Sequence, residues 1–135
     1  MAVLRIGHVN LRGPAGLIEQ LKNFYIDVIG LHEGPRPRFR SGSSGYWLYA
    51  GERAVIHLNL FGTDNTYERE VIPGGTTGAI HHVAFECDDL DGMVSRLDTK
   101  GLRYERAELP EIALTQLFVV DPNNVLLELN FRGIL

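Results

Sequence analysis

Cysteine is nearly absent: Cys87 is the only one in 135 residues. A single thiol excludes an intrachain disulfide, a zinc ribbon and a Cys-X-X-Cys redox pair, and it fits a reducing cytoplasm. Long apolar runs are missing as well. Leu117-Phe118-Val119-Val120 is among the longest, far short of the roughly 20 residues of a membrane span. There is no basic excess to hold a nucleic-acid backbone or an anionic membrane, because 13 Lys and Arg face 17 Asp and Glu for a formal charge of -4. The start of the chain, Met1-Ala2-Val3-Leu4-Arg5-Ile6, lacks the basic segment and apolar stretch of a secretion signal. These absences point to a cytoplasmic protein that serves a small molecule, with no nucleic acid and no membrane as partner.

What is present is globular. Hydrophobic residues make up 44% and charged ones 22%, enough apolar surface for a core, and 135 residues is the size of one structural domain. Residues 3 to 11 alternate as a strand, Pro14 suits a helix's first turn, and Leu17, Ile18, Leu21, Phe24, Tyr25 and Val28 recur at helical spacing before the stop at Gly30. Strands follow at 31–33, 46–50 and 53–61. From Ile80 the order restarts with a strand over 80–86, an Asp88-Asp89 cap, and helical spacing at Leu90, Met93, Val94 and Leu97 ending at Gly101. Strands over 102–106, 114–120 and 125–131 complete it, the last two joined by the turn Asp121-Pro122-Asn123-Asn124. Both halves read β-α-β-β-β.

The duplication holds residue by residue. His8-Val9 matches His82-Val83 at 74 residues, while Gly30-Leu31 matches Gly101-Leu102 and His57-Leu58-Asn59 matches Glu128-Leu129-Asn130 at 71. The expected organisation is one structural domain with a first module over 1–61, a linker over 62–78 and a second module over 79–135. Strand alternation sets His8 with Asn10, His57 with Asn59, His82 with Ala84, and Glu128 with Asn130 on faces opposite the apolar positions. A lone mid-strand histidine is ordinarily satisfied by hydrogen bonds. Three imidazoles and a carboxylate at repeat-equivalent positions point instead to one divalent first-row ion, whether Zn, Ni, Mn, Fe or Co.

Four segments carry a family resemblance: Gly7-His8-Val9-Asn10-Leu11, Phe24-Tyr25-Ile26-Asp27-Val28-Ile29-Gly30-Leu31, His81-His82-Val83-Ala84-Phe85, and the stretch from Asp121 to Leu129. With the duplicated order they resemble the vicinal oxygen chelate superfamily, which includes glyoxalase I, bleomycin-resistance proteins and extradiol dioxygenases. The resemblance implies an α+β fold whose two modules form a curved, barrel-like mixed sheet around a metal cavity, with His8, His57, His82 and Glu128 as ligands. It implies a glyoxalase-like isomerase or lyase whose substrate chelates the metal through vicinal oxygens, with Glu128 as general base. The alternatives are a short ring-cleaving dioxygenase and a non-catalytic binding or resistance protein. Glyoxalase I usually has a carboxylate where this chain has His57. Arg12 matches an arginine that helps glutathione-using members hold substrate, and Asn10 stands where fosfomycin-resistance enzymes carry a threonine near the reacting carbon.

Short members of the family pair as homodimers, within a chain or by exchanging modules, so a homodimer is expected. Alternation turns one of Thr115 and Gln116 to the polar face, and the 71-residue offset places Gln116 with Trp47 and Tyr49, either as further substrate contacts or with the two aromatics as ordinary core residues. Arg36, Arg38 and Arg40 read as a solvated loop, and His32 and His81 as structural.

Overall fold

The computed structural model describes residues 4–39, 42–60 and 80–133, and its elements fall into two compact units, Met1–Pro73 and Gly74–Leu135. The linker expected over 62–78 lies outside the described residues.

The first unit runs β1 (Val9–Gly13), α1 (Ala15–Phe24), β2 (His32–Gly34), β3 (Gly45–Ala50) and β4 (Arg53–Leu60). Its four strands lie in the order β1-β4-β3-β2, with β1 parallel to β4 and the other neighbours antiparallel. Ile18, Leu21 and Phe24 form the buried face of α1, and the helix packs chiefly on β4, where Ile56 and Leu58 are buried. Burying each such side chain is worth about 1.5–3 kcal/mol. After Phe24 the helix widens into a π-helical turn, Tyr25–Ile29. The Gly30 N–H donates to the Tyr25 carbonyl at 3.0 Å, and Gly30 leaves the turn at φ 95°, a left-handed conformation that glycine adopts without strain. On the outer side of α1, the Tyr46 hydroxyl donates to Glu19 and Lys22 Nζ lies 4.3 Å over the Tyr46 ring, tying the helix to β3. The bond from Tyr46 holds the Glu19 carboxyl below its ordinary range.

The second unit runs β5 (Val83–Cys87), α2 (Leu90–Thr99), β6 (Glu105–Leu109), β7 (Leu114–Val120) and β8 (Leu126–Arg132), with strand order β5-β8-β7-β6. Asp89 caps α2 by accepting from the Gly92 N–H at 3.1 Å. Leu127, Leu129 and Phe131 are fully buried on the apolar face of β8. The β7–β8 turn is held by Asp121, whose Oδ1 accepts from Asn123 N at 2.7 Å and Val125 N at 3.0 Å. Cys87 is half-buried, and burial pushes its thiol up to about 11, so it stays protonated at neutral pH.

The fold is α+β, two β-α-β-β-β modules whose strands form two open four-stranded sheets. Their registers coincide. Asn10 faces His57 across β1 and β4 as Ala84 faces Glu128 across β5 and β8, while Trp47 faces His57 as Phe118 faces Glu128.

Three strands start three or more residues later than their sequence patterns. β1 begins at Val9 rather than residue 3, and Leu4 and Ile6 are 84% and 86% exposed, with no strand paired to them among the described residues. β5 begins at Val83 rather than residue 80, because the pairing of Val83 with Leu127 leaves a single residue of β8 before the turn. β6 starts at Glu105 rather than residue 102, in register with Phe118 of β7. His8 and His82 therefore each sit one residue ahead of a parallel ladder.

Candidate functional site

In the first unit the imidazoles of His8 and His57 stack with centroids 3.8 Å apart and planes 9° apart, and the Trp47 ring stacks on His57 at 4.2 Å and 10°. The pairing of Trp47 with His57 across β3 and β4 makes this possible, since directly opposed side chains stand closest. Burial, reinforced by repulsion from His8 and then Arg36 and opposed by a bond to the Ala54 backbone, lowers His57 to about 4. Its ring is neutral at neutral pH, as a metal ligand requires.

A polar network lies beside the stack. Asn59, buried on β4, donates from Nδ2 to Asn10 Oδ1 and accepts from Arg36 Nη2 at 3.0 Å. Arg36 also donates to the Ser43 carbonyl at 3.0 Å and the Ser43 hydroxyl at 2.9 Å, and its guanidinium lies 5.0 Å from the Phe39 ring centre. The solvated-loop reading therefore fails at Arg36, which folds back onto the sheet because a buried asparagine oxygen needs a donor. Arg38 is exposed, and Arg40 lies outside the described residues. Arg12 is half-buried on β1 opposite Asn59. Tyr49 follows an irregularity in the β3–β4 register, stacks on His32 at 5.8 Å and donates its hydroxyl to the Pro35 carbonyl at 2.6 Å.

In the second unit His82 Nε2 stands 2.6 Å from Glu128 Oε2. Gln116 Nε2 donates to the other oxygen, Glu128 Oε1, and to Asn130 Oδ1 at 3.2 Å. Gln116 is half-buried on this polar side while Thr115 is fully buried on the apolar one, which settles which of the two polar residues in β7 turns from the core. His81 Nδ1 lies 3.0 Å from His82 Nδ1. Alternation along a strand would put these neighbours on opposite faces, but both precede β5 (Val83–Cys87), where alternation does not hold.

Each unit thus brings together two of the four expected ligands: His8 with His57, and His82 with Glu128. Within neither unit do the described residues gather three or more His, Cys, Asp or Glu side chains. The donors fit a divalent ion in kind. His82 Nε2 and Glu128 Oε2 are joined as a hydrogen-bonded pair at 2.6 Å and would part to about 3 Å to share an ion, and a neutral imidazole with a carboxylate suits first-row metals better than calcium or magnesium.

The sequence pattern of the Glyoxalase/Bleomycin resistance protein/Dioxygenase superfamily matches residues 5–129. The chain belongs to this superfamily. It is 29% identical over 116 residues to Glyoxylase I 4 of Arabidopsis thaliana, covering 83% of this chain and 63% of that protein's length. Among solved structures, a glyoxylase/bleomycin resistance protein/dioxygenase domain from a Frankia species is 19% identical with a TM-score of 0.69, over 98% of this chain and 95% of that one. An antibiotic binding protein from a Streptomyces species is 21% identical with a TM-score of 0.61, over 98% and 99% of the two chains. These structures share the fold. The superfamily holds enzymes and proteins without turnover alike, and among the described residues no helix is long and apolar enough to cross a membrane.

Proposed function

We propose that this chain is a glyoxalase-like, divalent-metal-dependent isomerase or lyase in the cytoplasm, acting on a small substrate with two neighbouring oxygens. The supporting observation is the His82–Glu128 pair, set 2.6 Å apart at register positions equivalent to those of His8 and His57. His8, His57, His82 and Glu128 would hold the ion, which supplies Lewis-acid stabilisation of an oxyanion. The carboxylate of Glu128 serves as general base, taking a proton from the substrate carbon. Trp47 offers an apolar flank, and Asn10, Arg12 and Tyr49 contact substrate.

Metal-stripped protein titrated calorimetrically with Mn(II), Ni(II), Zn(II), Co(II) or Fe(II) is expected to take one ion per site and to lose affinity in His8→Ala and in His82→Ala. A chain with no affinity for any of the five overturns the metal enzyme. It would then be a binding protein of the same superfamily, a reading favoured by one feature: His82 and Gln116 already engage both oxygens of Glu128. A preference for Fe(II), with oxygen uptake on a catechol, selects the ring-cleaving alternative.

The protein is also expected to be a homodimer. Sedimentation should give twice the 15.1 kDa chain mass, and a 15.1 kDa species at working concentrations rules the dimer out.

A further inference from the structure

Across β7 and β8, Phe118 faces Glu128 and Gln116 faces Asn130. Gln116 therefore reaches Glu128 along the diagonal, a span its long side chain covers. Its Nε2 carries two hydrogens and both have an acceptor, Glu128 Oε1 and Asn130 Oδ1. That fixes the amide with its nitrogen toward the carboxylate. Glu128, only 9% exposed, is held at Oε1 and leaves Oε2 on the side of His82 Nε2.

The repeat shows what is particular about this. The position equivalent to Gln116 in the first unit is Gly45, which faces Asn59 as Gln116 faces Asn130. There the donor to the asparagine is Arg36 Nη2, arriving from a different segment. Both units supply a donor to the equivalent asparagine, but the second also turns that donor onto the neighbouring carboxylate. The residue equivalent to Glu128 is His57, whose ring is held by stacking on His8 and Trp47 instead.

We infer that Gln116 is a positioning residue for Glu128, fixing Oε1 so that Oε2 is presented beside His82, and that it does not contact substrate. Its consequence for metal affinity rests on the ligand role proposed for Glu128. Co(II) is titrated into metal-stripped full-length protein carrying Gln116→Leu, Glu128→Ala, both changes or neither, with urea midpoints recorded for each. Gln116→Leu should weaken Co(II) by about 10- to 100-fold, the scale of outer-shell ligand partners, and should add nothing once Glu128 is alanine. An equal loss in both backgrounds, or no loss, overturns the inference.

A second readout needs neither the metal nor a folded Gln116 variant. In the parent, the Gln116 side-chain amide protons should show two hydrogen-bonded resonances by NMR, and Glu128→Ala should shift one to the position of a free amide. Resonances unmoved by Glu128→Ala overturn the inference. A parent without affinity for Co(II) or the other ions fails the metal reading alone, and the amide resonances still decide the contact.

Discussion

Gly45→Ala is expected to lower folding stability by more than about 3 kcal/mol, at the severe end of single substitutions. Gly45 opens β3 at φ 158°, and a Cβ built there would lie 1.8 Å from the Leu58 carbonyl oxygen and 2.8 Å from its carbon. Both atoms are backbone, so no rotamer change relieves the overlap. The strand must shift, and with it the ladder that sets Gly45 against Asn59 and Trp47 against His57. The stack of His8, His57 and Trp47 and the bond from Arg36 to Asn59 both depend on that register. Urea denaturation followed by Trp47 fluorescence measures the loss. A midpoint equal to that of the parent would show that β3 can move away from Leu58 at little cost.

The duplicated architecture was legible because apolar alternation and turn residues recur at fixed offsets. His57-Leu58-Asn59 and Glu128-Leu129-Asn130 occupy the same register positions in the two sheets. Strand ends were not legible, because a strand stops where its partner stops. Nothing in Leu4-Arg5-Ile6 or Ile80-His81-His82 records that the ladders open at Val9 and Val83. The same limit hid the contact between His81 and His82, since alternation describes residues inside a ladder.

Arg36 was hidden for a different reason. It lies 23 residues from Asn59 in a segment with no periodicity, and composition alone reads that segment as solvated. The available signal was at the other end, where Asn59 in mid-strand on β4 demanded a donor. Gln116 shows the same logic: alternation set its face, but its acceptor followed only from the diagonal reach between β7 and β8.

Glu128→Gln is expected to separate enzyme from binder. The substitution keeps side-chain size and one acceptor oxygen but replaces the other oxygen by an NH2. Gln116 Nε2 already donates to Oε1, so the new amide must turn its oxygen there to avoid opposing two donors. The NH2 then stands where Oε2 faced His82 Nε2, and a nitrogen with no available lone pair replaces the carboxylate oxygen proposed as the metal ligand. Metal affinity should fall by about 10-fold or more. Excess metal restores occupancy without restoring a base. With the site refilled, an enzyme that uses Glu128 to take the substrate proton should remain slower than the parent by about 10² to 10⁴. A binding protein should instead recover full affinity for its ligand. Turnover at the parent rate in the refilled variant would remove Glu128 from the proton-transfer step and leave it a ligand alone.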